Sequence, residues 1–190
     1  MTSLMIIVGS VRPGRVGLPV AEWVKSRVEA HGGFDIDFVD LLELNLPFMD
    51  EPNHPAQRAY TRDHTVAWSK RVDAAESFVF VSPEYNHSLS PALKNAIDYL
   101  SQEWWRKPVG FVSYGGVSGG SRSVAAMDPV ISTVGLVKTG VAVEIPFVNT
   151  LVADGAFSPT QRETTILSRM LGEIESLSGA LKPLQNKPLA

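Results

Sequence analysis

Three short apolar runs decide most of what this chain can become: Leu4–Val8 (LMIIV), Ser77–Ser82 (SFVFVS) and Val109–Tyr114 (VGFVSY). Each is strand-sized and rich in β-branched or aromatic residues. None shows the strict apolar–polar alternation of a strand with one wet face, so each asks to be covered on both sides, as in a parallel sheet. Each also stops abruptly, in GSVRPGRVG (Gly9–Gly17), SPEYNHS (Ser82–Ser88) and YGGVSGG (Tyr114–Gly120).

Helical patterns fill the intervals. Val20, Val24 and Val28 recur at helical spacing behind a first-turn Pro19, and Gly32-Gly33 stops the run. Phe34–Leu41 reads as a second strand nearer the sheet edge. Asn45–Gln57 is proline-rich and reads as a surface excursion, after which Tyr60–Glu76 turns helical. Ser90-Pro91 pairs an N-cap with a first-turn proline ahead of Leu93, Ile97 and Leu100. Ser121–Val134 is a further helix with Pro129 near its centre, and Val141–Phe147 a fifth strand. Ser158 to Gln161 has capping-box spacing before the amphipathic stripe Ile166, Leu167, Met170, Leu171 and Ile174. Strands alternating with helices predict an α/β chain, a doubly wound parallel sheet with helices on both faces. A single domain spans 1–182, and residues 183–190 form an irregular tail.

Composition removes whole classes of function. With 190 residues, 44% hydrophobic and 19% charged, the chain is globular, and a net charge of −3 offers no footprint for nucleic acid. Arg106-Lys107, the nearest thing to a basic cluster, reads as a solvated approach to a strand. The absence of cysteine excludes disulfides, thiolate nucleophiles and thiolate metal sites. His31, His54, His64 and His87 lack metal-ligand spacing, and no G-x-S-x-G elbow is present. No run reaches membrane-spanning length, so the expected partners include no membrane and the expected compartment is the cytoplasm. Trp104-Trp105 is a candidate subunit contact.

In open α/β sheets ligands bind beyond the carboxyl ends of the strands, which places the three interrupting loops on one edge. The first offers Ser10, Arg12, Arg15 and backbone amides at a helix start, a set suited to a terminal phosphate. It is not a Walker loop, because Arg15 and Val16 stand where lysine and a magnesium-binding hydroxyl are required, and G-x-G-x-x-G is absent. Read alone, a tight turn with solvent-facing arginines explains it equally well. In the second loop Pro83 ends the strand, while Tyr85 and Asn86 suit a planar ring with a polar edge; a polar turn is the alternative. Glu84 is free to cap the next helix or to form an ion pair. The third loop exposes bare backbone, either to a ligand or to solvent.

Taken together, GSVRPGR, SPEYNHSLSPALKNAIDYLS (Ser82–Ser101) and KPVGFVSYGGVSGGSRSV (Lys107–Val124) resemble the NADPH-dependent FMN reductase family, which has a flavodoxin-like fold. The resemblance implies a five-stranded sheet of order 2-1-3-4-5. It implies FMN as cofactor, its phosphate on Ser10, Arg12 and Arg15, with Val16, Gly17 and Leu18 close by. The isoalloxazine would rest on Pro83, Glu84, Tyr85 and Asn86, with Tyr114, Gly115, Gly116 and Ser118 along the other margin. NADPH or NADH would be co-substrate, and the acceptor a small molecule: free flavin, a quinone, an azo compound or a metal oxyanion. Relatives are commonly homodimers or homotetramers. Such chemistry belongs to the cofactor, so no catalytic side chain is expected. An electron carrier of the same fold and an FMN-binding regulatory module without turnover are the competing expectations.

Overall fold

Along β1 (Thr2–Val8), Leu4, Ile6 and Val8 turn to one face and Met5 and Ile7 to the other, and all five are fully buried. The same period of two sorts β3 (Ser77–Pro83), with Val79 and Val81 on the first face and Phe78 and Phe80 on the second. In β4 (Pro108–Tyr114), Val112 and Tyr114 share the first face while Val109 and Phe111 share the second. Two cores therefore flank one sheet. Burying each of these larger side chains contributes about 1.5–3 kcal/mol.

The computed structural model describes residues 1–185. Helix α1 (Gly17–His31) covers the first face with α6 (Gln161–Gln185), and the second lies under α3 (Asp63–Ala74), α4 (Pro91–Asp98) and α5 (Ser121–Thr133). The ladders are parallel, with β2 (Phe34–Asp40) at one edge, in the order β2-β1-β3-β4 and then a fifth position. This is the flavodoxin-like order that the family resemblance implies. Helix α1 ends where expected, with Gly32 left-handed at φ +80° and its amide on the Val28 carbonyl.

The fifth position departs from expectation. Instead of one strand over Val141–Phe147 there are two, β5 (Val137–Lys138) beside Pro108–Val109 and β6 (Val143–Ile145) beside Val112–Tyr114. The sheet thus has six strands in five positions. The break falls at Thr139-Gly140, where the Thr139 hydroxyl donates to the Val141 carbonyl at 2.8 Å and Glu173 accepts from the Gly140 amide at 2.7 Å. A short hairpin, β7 (Val152–Ala153) and β8 (Ala156–Phe157), follows.

Other details are corrected by the packing. The capping box at α6 joins Thr160 to Glu163, whose carboxylate accepts from the Thr160 amide at 2.8 Å, two residues beyond the Ser158–Gln161 spacing. Helix α6 runs on to Gln185, so 183–185 are helical and the rest of the expected tail lies outside the described residues. One turn, α2 (Leu41–Leu44), opens the excursion. Lys107 is not solvated: it is 6% exposed, and its Nζ donates to the Val72 and Asp73 carbonyls at 2.9 and 3.0 Å. Trp104 is fully buried against Phe78, Phe80 and Trp68, which removes it as a subunit contact. Among the described residues no helix is long and apolar enough to cross a membrane.

Candidate cofactor site

The carboxyl ends of β1, β3 and β4 are in register, Val8 beside Val81 and Pro83 beside Tyr114, so their loops emerge side by side. The β1 loop turns back through Arg15, whose amide donates to the Arg12 carbonyl at 3.2 Å, with Gly14 left-handed at φ +67°. Helix α1 then begins with no side chain capping it and no acidic residue in its first turn. Its first amides carry the positive end of the helix dipole with no N-cap side chain and no first-turn carboxylate to neutralise it.

The β3 loop is a tight hairpin. Tyr85 and Ser88 exchange backbone hydrogen bonds of 3.0 and 2.9 Å across Asn86 and His87, both left-handed at φ +49° and +64°. Two positive φ values in a two-residue loop define a type I′ turn, for which Asn at the first position is well suited. The turn presents Tyr85 to the β1 loop, where its hydroxyl meets Ser10 Oγ at 2.7 Å and its ring lies 5.9 Å from the Arg12 guanidinium carbon.

Glu84 braces the glycine loop. Its carboxylate accepts from the Ser118 hydroxyl at 2.8 Å, the Arg122 amide at 3.1 Å and the Arg122 guanidinium at 3.2 Å. It therefore caps α5, not the helix that follows it in sequence. Burial alone would raise this carboxyl, but the Ser118 and Arg122 hydrogen bonds outweigh it and hold the group below its usual range.

Two adjoining cavities of about 270 and 290 Å³ open on this edge and share Arg12, Val16, Pro83, Tyr85, Tyr114 and Asn149. The first extends to Ser10, Gly14 and Arg15. The second extends to Glu84, Gly115, Gly116 and the segment Phe147–Thr150. The expected residues Ser10, Arg12, Arg15, Val16, Pro83, Glu84, Tyr85, Tyr114, Gly115 and Gly116 are thus brought together. Gly17 sits beneath the Tyr114 hydroxyl, Ser118 is engaged with Glu84, and exposed Asn86 lies at the hairpin tip. Leu18 instead lines a separate hollow with Trp23 and Phe157. Sequence reasoning missed Phe147–Thr150, whose place is fixed by Phe147 N and Val148 N donating to the Gly116 and Gly115 carbonyls at 2.9 and 3.2 Å. The only local signal was Pro146, which ends the strand before them.

The residues present fit a flat ligand carrying a terminal anion. One cavity ends at an uncapped helix start with an arginine, and the other is walled by an aromatic ring, a proline and bare glycine backbone. Together their volumes fall in the range of small-ligand sites, roughly 300–1,000 Å³.

A sequence model of the NADPH-dependent FMN reductase family matches residues 2–149. A Schizosaccharomyces pombe protein named an NAD(P)H-dependent FMN reductase is 34% identical over 183 residues, covering 95% of this chain and 89% of its own. A Saccharomyces cerevisiae protein of the same name is 40% identical over 153 residues, covering 74% and 80%. Among solved structures, FerB from Paracoccus denitrificans, described as a flavoenzyme NAD(P)H:(acceptor) oxidoreductase, superposes with a TM-score of 0.74 at 19% identity, covering 95% of this chain and 99% of its own. At that identity the likeness carries the fold.

Proposed function

Because the chain belongs to the NADPH-dependent FMN reductase family, we propose that it is an NAD(P)H-dependent oxidoreductase that holds FMN across the two adjoining cavities. The phosphate lies at the start of α1 with Ser10 and Arg12. The ring lies against Pro83, Tyr85, Gly115 and Gly116. The observation that carries this reading is the union of an uncapped helix start and an aromatic–glycine slot in one continuous edge.

When bound, FMN supplies the two-electron chemistry, taking a hydride from NAD(P)H and passing its electrons to an acceptor. The chain's own residues bind and orient. Arg12 and the α1 amides balance the phosphate charge. The Ser10–Tyr85 hydrogen bond ties the phosphate loop to the ring loop, and Glu84 fixes the glycine loop to α5. The open side, at exposed Gly116 and Phe147, leaves one face for NADPH or NADH and then for a quinone, azo compound, free flavin or metal oxyanion.

Purified protein should show flavin absorbance, or acquire it on adding FMN. It should then oxidise NADH or NADPH with turnover across a panel of such acceptors. Bound flavin that stays oxidised when mixed with either nucleotide would instead identify an electron carrier.

We also propose a homodimer or homotetramer. The support is an apolar surface beside the phosphate loop, where Phe48 is 85% and Leu42 48% exposed around a groove of about 420 Å³ between α2 and α4. Sedimentation of the wild-type chain and of Phe48→Asp tests it, with dissociation expected for the variant.

A further inference from the structure

Tyr114 carries a polar atom that the chain itself leaves unexplained. The residue is 4% exposed, and its hydroxyl is buried without a hydrogen-bond partner. Buried hydroxyls are rarely left this way, because nothing then replaces the water they gave up.

Its position follows from the strand period. As the last residue of β4 on the α1 face, Tyr114 sends its phenol under the start of α1, where a Cβ on Gly17 would lie 2.1 Å from the hydroxyl oxygen. No other residue than glycine fits at 17 while the phenol stays there. The same side chain lines both cavities, at their junction with Arg12. The charged group facing this space is cationic, the Arg12 guanidinium, and the uncapped α1 amides and the phenol add donors beside the neutral Ser10, Tyr85 and Asn149. Ser10 is the neighbouring hydroxyl, but its hydrogen bond is to Tyr85 at 2.7 Å and none of acceptable geometry reaches Tyr114. Burial foremost, reinforced by Tyr85, pushes the phenol well above its ordinary range, so it keeps its proton at any physiological pH. Donors converging on one point lack an acceptor with several lone pairs.

We infer that Tyr114 is a positioning residue for the phosphate of the flavin, donating its hydroxyl to a phosphate oxygen seated at the start of α1. This rests on the flavin site proposed above and moves Tyr114 from the ring margin to the phosphate end. Gly17 then has a function of its own, which is to admit that hydroxyl.

The test compares FMN with riboflavin, which has the ring but lacks the phosphate, by fluorescence titration of the full chain. In Tyr114→Phe the dissociation constant for FMN should rise about tenfold or more while that for riboflavin stays put. The preference for FMN over riboflavin should therefore collapse by that factor. Gly17→Ala, which displaces the hydroxyl without deleting it, should reduce the same preference. Flavin-free Tyr114→Phe should unfold at no lower a denaturant concentration than wild type, since it loses only an unpaired group. Equal losses for FMN and riboflavin, or no loss for FMN, would overturn the assignment while leaving the flavin site standing. A wild-type chain that binds neither flavin would overturn both.

Discussion

Arg15 and Asp40 face each other as a two-pronged ion pair, with Arg15 Nη1 at 2.6 Å from Asp40 Oδ1 and Nη2 on Oδ2, their side chains only 9% and 5% exposed. Arg15 Nη1 also donates to the Ser10 carbonyl at 2.6 Å, and Asp40 Oδ1 accepts from the Leu42 amide at 2.9 Å. The pair thus ties the phosphate loop to the end of β2 and the start of α2. Of the two loop arginines, Arg15 braces the fold at the cavity edge, while exposed Arg12 is in no ion pair among the described residues.

The two arginines should therefore respond differently. Asp40→Asn leaves a buried guanidinium uncompensated and should lower the unfolding free energy by about 3–5 kcal/mol, measured by urea denaturation. Arg12→Ala should change stability by no more than about 0.5 kcal/mol. It should weaken FMN binding roughly tenfold, and the wild-type advantage should shrink as salt is added. Equal effects of both substitutions on stability would contradict this division of labour.

Lys107 makes stability depend on alkaline pH. Burial foremost, against the pull of Asp73 and Glu103, lowers its ammonium from 10.5 to about 8. Below pH 8 it is charged in both states, and the cost of burying the charge is fully present. Between about 8 and 10.5 the unfolded chain still holds a proton that the folded chain has released, so stability rises with pH. At about 1.4 kcal/mol per unit, the rise is on the order of 3 kcal/mol at most. Urea unfolding at several pH values should show it as a difference between wild type and Lys107→Met, in which the rise is lost. Parallel curves for the two proteins would show that Lys107 is not the group responsible.

These two cases also show what was legible in the sequence. The doubly covered parallel sheet and the shared loop edge are legible in the unbroken apolar runs of β1, β3 and β4, while the strand order came with the family resemblance. The Arg15–Asp40 pair joins residues 25 apart that meet only once β1 and β2 are in register, so no local pattern announces it. Lys107 looks like surface charge because its partners are the α3 carbonyls, which have no sequence signature. At α6, Ser158–Gln161 and Thr160–Glu163 both satisfy the capping pattern, and only the backbone chooses between them. The split fifth position is decided by tertiary hydrogen bonds at Thr139-Gly140, while the residues around them still read as strand formers.

The hairpin tip allows a sharper test of local backbone. His87 at φ +64° occupies a region that costs a side chain with a Cβ roughly 1–2 kcal/mol. His87→Gly removes that strain but makes the unfolded chain freer, an opposing effect of about 0.4–1 kcal/mol, so the folded state should gain up to about 1 kcal/mol. His87→Val, β-branched, should instead lose about 1–2 kcal/mol and loosen the Tyr85–Ser10 contact. Chemical denaturation of the pair of variants reads both signs, and a destabilising glycine would refute the turn assignment.

Phe147 is the most exposed aromatic at the ring cavity, 57% exposed, and it is left-handed at φ +49°, an unfavourable state for a bulky side chain. The strain is held in place from both sides. Its amide donates to the Gly116 carbonyl at 2.9 Å, and its carbonyl accepts from the Thr150 amide and hydroxyl, each at 2.9 Å. Strain maintained at a cavity rim signals a function for the side chain, and an aromatic face beside the open side suits stacking on the nicotinamide or on an aromatic acceptor. Phe147→Ala should raise KM for those substrates about five- to tenfold, as expected for one lost aromatic contact, with kcat and FMN affinity within twofold of wild type. Phe147→Gly should show the same rise in KM while gaining up to about 1 kcal/mol of stability from the relieved backbone. A glycine variant that is more stable yet binds these substrates more weakly is the signature of strain kept for binding. Unchanged KM for both nucleotide and acceptor would leave the exposed ring without that role.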